Sequence, residues 1–159
     1  MKRLLFLGLA LFTSAGHAQS SLGVVAAIQA ARSEVIAVLP RVGRQDVAVA
    51  LKAAAARGTV VFLITERATA RRGGYLLNVS HGPLSIGTYL YPGALATPWV
   101  MVDNAWVASG PALDQEGVPL APSISQDTVT LRRLNVWATQ VTAAGPIKRP
   151  DLLRLHFGR

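Results

Sequence analysis

The sequence predicts an α/β fold in which a mixed β-sheet is sandwiched between helices. Three observations predict it. Helical and extended apolar segments alternate from residue 22 to residue 65. The two extended segments are short, β-branched and continuously apolar, as strands buried on both faces are. A hairpin pattern follows at residues 99–109, WVMVD and then AWVAS, turning on Asp103-Asn104 and stopping at Gly110-Pro111.

In chain order, the opening twenty residues are read as lying outside the fold. Lys2-Arg3 form a positive start, LLFLGLALF an apolar run, and GHA at 16–18 a small-residue cut site after Ala18. That run is about half the length a bilayer span needs. The expectation is a cleaved signal peptide over residues 1–18 and one exported domain over 19–159, in the periplasm or outside the cell. No later segment is long enough to span a membrane. LGVVAAIQAARS (22–33) has helical composition. EVIAVLP (34–40) reads as a strand stopped by Pro40. RQDVAVALKAAAARG (44–58) reads as a helix capped by Asp46 and ended by Gly58. TVVFLIT (59–65) is a second strand, so the pair forms a parallel βαβ unit. RATARRGG is a basic loop broken by Gly73-Gly74, and LSIGTYLYP (84–92) is a further extended segment. EGVPLAPSISQ (116–126) reads as a loop. TVTLRRLNVWATQV (128–141) alternates as one or two strands would, and DLLRLHF (151–157) as a short helix capped by Asp151.

Composition narrows the chemistry. Of 159 residues, 51% are hydrophobic, enough for one packed core and too many for a disordered chain. The absence of cysteine excludes thiolate chemistry and disulfide staples, so packing alone must hold the domain. The formal charge is +8; without Lys2 and Arg3 it is 8 − 2 = +6. Thirteen arginines against three lysines supply it, and guanidinium forks match phosphate and carboxylate oxygens. A polyanion such as nucleic acid is therefore a candidate partner.

Three segments in order carry a family resemblance: AARSEVIAVLP, VAVALKAAAARGTVVFLITER and VMVDNAWVASG. Together they resemble the phospholipase D superfamily, and most of all its small, exported, single-domain endonucleases, over residues 24–141. The resemblance implies a phospholipase D-like sheet between helices. It also implies chemistry built on H-x-K-x4-D-x6-G-S-x-N. In that chemistry a histidine attacks phosphorus, lysine and asparagine hold the developing charge, and a second histidine moves the proton. With Asp103 as the motif aspartate, the histidine position is Ala96 and the lysine position Pro98. Gly110 matches, while Pro111 and Leu113 replace serine and asparagine. Nucleophile and phosphate-holding cation are both missing, so the motif is degenerate.

The remaining candidates are few. Asp103 and Gly110 are motif remnants, and Asp103 also suits a turn that bonds to its own backbone. His81, the one mid-chain histidine, is a weak catalytic candidate on a loop. No cofactor is expected, and no His/Asp/Glu cluster has metal-ligand spacing. Glu66-Arg67 matches the family's strand ending. Arg67, Arg71, Arg72, Arg132 and Arg133 are candidate polyanion contacts, with Lys148-Arg149 behind them and Tyr75, Tyr89 and Tyr91 as stacking groups. Three functions compete: a non-catalytic module binding nucleic acid or another polyanion, a phosphodiesterase using other residues, and an interaction protein. The third would pair as a homodimer through a motif face of Ala96, Pro98, Trp99, Pro111 and Leu113.

Overall fold

The computed structural model describes residues 21–83 and 85–158. The expected signal peptide, residues 1–18, lies outside the described residues. The chain folds as helix α1 (Ser21–Ala30), strand β1 (Glu34–Val38), α2 (Gln45–Ala56) and β2 (Val60–Glu66). A 3-10 turn (Arg67–Thr69), α3 (Leu76–Ser80) and β3 (Ile86–Tyr91) follow. Next come β4 (Trp99–Val102), β5 (Trp106–Ser109), a 3-10 turn (Pro111–Leu113), β6 (Ser123–Ser125), α4 (Thr128–Thr142) and α5 (Arg149–Phe157).

The six strands form one mixed sheet in the order β3-β2-β1-β4-β5-β6. β1, β2 and β3 are parallel, as the βαβ pattern predicts. β4 runs antiparallel to β1, and β5 and β6 each reverse again. The strands alternate their side chains between two cores. Val35, Ala37, Val61, Leu63, Val100 and Ala108 point into a core roofed by α1, α2, α3 and α5. Ile36, Val38, Ile64, Tyr89, Trp99, Met101 and Val107 point the other way, under α4. The sheet is thus sandwiched between helices.

Local chemistry sets the element ends. α2 ends where Gly58 adopts φ +94°, a conformation that glycine takes without a Cβ penalty. Its start differs from expectation. Arg44 is the cap residue, and Asp46 sits inside the first turn, where it pairs with the Arg44 guanidinium at 2.7 Å. That contact raises the Arg44 pKa and lowers that of Asp46. α5 likewise starts earlier than expected, after Lys148, and Asp151 pairs with Arg154 in its first turn.

One prediction fails outright: residues 128–141 form α4, not strands. Asp127 caps it by accepting from the Thr130 amide at 2.8 Å. Leu131, Leu134, Ala138 and Val141 lie at i, i+3, i+7 and i+10 on the face that meets the sheet. The β-branched residues that suggested strands, Val129 and Val136, are the exposed ones. Within the segment read as a loop, Ser123–Ser125 adds the edge strand β6.

Burial sorts the consequences of substitution. Leu63, with no exposure in the middle of the sheet, should lose about 2–5 kcal/mol on truncation to Ala. Val129→Thr, at a position 74% exposed, should stay within about 0.5 kcal/mol of the parent. Urea unfolding of both variants checks the pair.

Candidate functional site

The β4–β5 hairpin has one end at each edge of the sheet. Val35 pairs with Val102 and Val38 with Trp99, so Asp103 lies beside the start of β1, and positions 96–98 and 110–113 lie beside its end. The motif positions are therefore split, with only Asp103 at the amino edge of the parallel strands.

Asp103 and Asn104 take φ +50° and +52°, the two left-handed residues of a tight hairpin turn. The Asp103 carboxylate does not bond within that turn. It accepts the backbone amides of Arg32 (3.0 Å), Ser33 (2.8 Å) and Glu34 (3.1 Å) and the Ser33 hydroxyl (2.8 Å). Partial burial raises its pKa, but these donors outweigh burial and bring it down to about 2. Asp103 thus ties the hairpin to the α1–β1 connection.

At the other edge, Gly110 has φ +144°, open only to glycine, and its amide donates to the Pro98 carbonyl at 3.0 Å. Its match to the motif therefore has a backbone reason. Pro111 opens the following 3-10 turn as its first residue, a place that needs no N–H. This turn delivers a carboxylate that nothing in the local sequence singles out. Asp114 is buried and accepts the amides of Arg41 (2.8 Å) and Gly43 (2.6 Å). Between them Val42 holds φ +57°, a conformation that costs a side-chain-bearing residue about 1–2 kcal/mol. Burial pushes the Asp114 carboxyl up, against the two amides that pull it down. Glu66, at the end of β2, accepts the Leu95 amide at 2.8 Å and so anchors the loop that carries Ala96 and Pro98.

The arginines divide between two elements that meet this carboxyl edge. Arg67, Arg71 and Arg72 follow β2 and are exposed; the Arg71 Nε donates to the Leu155 carbonyl at 3.1 Å. Arg132 and Arg133 are exposed on α4, and Arg133 stands at the rim of a pocket of about 450 Å³ that also includes Ala96 and Trp99. Arg149 is structural: its guanidinium donates to the Gly82 carbonyl at 2.6 Å. Of the three tyrosines, Tyr89 is core, stacked against Phe62 at 6.1 Å. Tyr75 is 3.4 Å from Glu116 through its hydroxyl, and only Tyr91 reaches the pocket.

His81 caps the far end of α3, on the stretch that leads to the start of β3, and its Nδ1–H donates to the Leu77 carbonyl at 3.0 Å. The structure does not bring it to positions 96–113. The histidine at the carboxyl edge is His156, whose Nδ1–H donates to the Ala70 carbonyl at 2.6 Å. Among the described residues, no group of three or more His, Asp or Glu side chains could hold a metal ion.

Three of the most similar solved structures come from bacteria and an archaeon. NucT from Helicobacter pylori superposes with TM-score 0.64 at 17% identity, over 77% of this chain and 87% of that one. Nuc from Salmonella typhimurium, a phospholipase D family member, gives 0.59 at 17% identity, over 77% and 86%. TrmBL2, an archaeal chromatin protein that binds DNA, gives 0.52 at 10% identity, over 86% of this chain and 56% of that one. No family model matches the sequence, and no curated protein does. The likeness shows the fold: the chain is phospholipase D-like.

The two structural carboxylates should respond oppositely to acid. The Asp103 pKa is depressed in the folded state, so its contribution to stability is present above about pH 4 and is lost as pH falls through about 2. The Asp114 pKa is raised, so its ionisation opposes folding once pH climbs above the ordinary carboxylate value. Asp103→Asn places an amide donor against backbone donors. It should cost about 1–3 kcal/mol at neutral pH and flatten the acid limb of the stability curve, read by urea unfolding from pH 2 to pH 7.

Proposed function

We propose that this phospholipase D-like domain is an exported module that binds a phosphodiester polymer such as nucleic acid, without the family's covalent chemistry. The observation that carries the reading is the charge at the carboxyl edge of the parallel strands. Arg67, Arg71 and Arg72 stand there exposed, Arg133 faces the same edge from α4, and Arg41 adds a fifth cation from the β1–α2 loop. Among the described residues only two ion pairs form, Arg44–Asp46 and Arg154–Asp151, and neither involves these five side chains. Open α/β sheets gather ligands beyond the carboxyl ends of their strands, and unpaired guanidinium groups suit phosphate oxygens there.

Turnover has less support. A methyl group and a pyrrolidine ring occupy the positions that the resemblance gives to the attacking imidazole and the phosphate-holding ammonium. His81 points its ring nitrogen at a helix carbonyl away from that edge. His156, nearer, has one nitrogen committed to the Ala70 carbonyl. Among the described residues no helix is long and apolar enough to cross a membrane.

Binding of this kind releases counterions, so retention on immobilised single- or double-stranded DNA should fall steeply between low and physiological salt. Arg71→Ala with Arg72→Ala should weaken retention and lower the slope of log K against log salt by about two. Salt-independent retention, or none at low salt, would falsify the proposal. A plasmid-nicking assay on the same preparation should show no turnover.

A further inference from the structure

We infer that the pocket beside Ala96 is a second binding site, shaped for a small planar organic anion such as an aromatic carboxylate or sulfonate. Its volume of about 450 Å³ falls within the range of small-ligand sites. Three aromatic side chains from three elements form its walls: Tyr91 from the end of β3, Trp99 from the start of β4 and Trp137 from the middle of α4. Trp137 holds the other two, 5.6 Å from Tyr91 and 6.0 Å from Trp99 between ring centroids, tilted by 58° and 63°. Such tilted walls are pre-formed, so a flat ring settling against them immobilises little that was free.

Ala96 makes the space. The residue is exposed on the loop before β4, and its methyl group leaves open the volume that an imidazole would occupy. Leu134 completes an apolar floor, so a wholly polar guest would lose hydration without return. The charged group in the lining is Arg133; no carboxylate lines the pocket, and the nearby Glu66 is engaged by the Leu95 amide. Apolar aromatic walls with one guanidinium at the rim select a guest that is flat at one end and anionic at the other. The site shares Arg133 with the positive edge but does not depend on Arg67, Arg71 or Arg72, so variants at those three separate it from polymer binding.

Two probes of nearly the same shape test it: anilinonaphthalene sulfonate and its uncharged analogue phenylnaphthylamine. Titrated into the folded full-length protein, the sulfonate should bind saturably at one site and quench tryptophan emission. Arg133→Gln, at an exposed helix position, should weaken the sulfonate about tenfold and leave the uncharged probe unchanged. Ala96→Trp should abolish binding of both. Arg71→Ala with Arg72→Ala should leave both probes bound while DNA retention falls, so the two proposals can fail separately. Non-saturable binding would overturn the inference, as would an Arg133→Gln effect equal on both probes. Wild-type affinity in an Ala96→Trp variant with an unchanged circular dichroism spectrum would do the same.

Discussion

Strand β1 is held at both ends by carboxylates from the neighbouring β4–β5 hairpin and the turn that follows it, and the rest of the architecture hangs from that pair of clamps. Its entry amides, those of Arg32, Ser33 and Glu34, converge on Asp103; its exit amides, those of Arg41 and Gly43, converge on Asp114. Backbone amides leaving a buried strand must find acceptors. Here each set finds one side chain about 70 residues away, carried by the hairpin or by the turn that follows it. The consequence is positional: β1 pairs in parallel with β2 and antiparallel with β4, and the clamps fix the register of the second pairing.

That arrangement also explains why so basic a domain leaves its cations unpaired. Four of the eight acidic residues serve backbone amides: Asp103, Asp114, Glu66 at the Leu95 amide and Asp127 as the cap of α4. Two more, Asp46 and Asp151, pair with arginines two and three residues away in sequence. These carboxylates keep their charge, but their oxygens are taken up by backbone donors or by neighbouring arginines, and among the described residues none forms an ion pair with the arginines that follow β2 or face the pocket from α4. The positive edge follows from how the acids are used in folding as much as from the count of arginines. A field of this kind acts over roughly a Debye length, about 10 Å at moderate salt, and so extends beyond any single side chain.

What the sequence made legible follows the range of the interactions concerned. The α2–β2 unit was readable because its signals are local: apolar period, Gly58 and a continuous β-branched strand. The hairpin was readable from its turn. Helix α4 was not, because Val129, Thr130 and Val136 gave it a strand-like composition, while the evidence for a helix lay in the Asp127 cap and in a face that only the sheet defines. Strand β6 has three residues and emerges only by pairing with β5. The sequence singles out Asp103 as a motif remnant or as the residue of a turn bonded to itself, since nothing local in VDN announces donors at positions 32–34. Asp114 gave no signal at all. The pocket joins Tyr91, Trp99 and Trp137, of which sequence reasoning placed the first two near a site and put the third in a strand.

The motif positions can now be read as a set of backbone solutions. Gly110 supplies a φ that no other residue reaches without strain, and its amide closes on the carbonyl of Pro98. Pro98 is buried and offers no donor, so the β4–β5 ladder ends there with no amide left over. Pro111 starts a turn that needs no N–H and hands Asp114 to the β1–α2 loop. Proline at both 98 and 111 stiffens the hairpin base by fixing two φ angles, where a lysine and a serine would add freedom and polar groups. Residues that suit phosphoryl chemistry and residues that suit a rigid apolar base make opposite demands on these positions. In this chain Ala96, Pro98, Pro111 and Leu113 belong to the second set, and an aromatic-walled space opens beside Ala96.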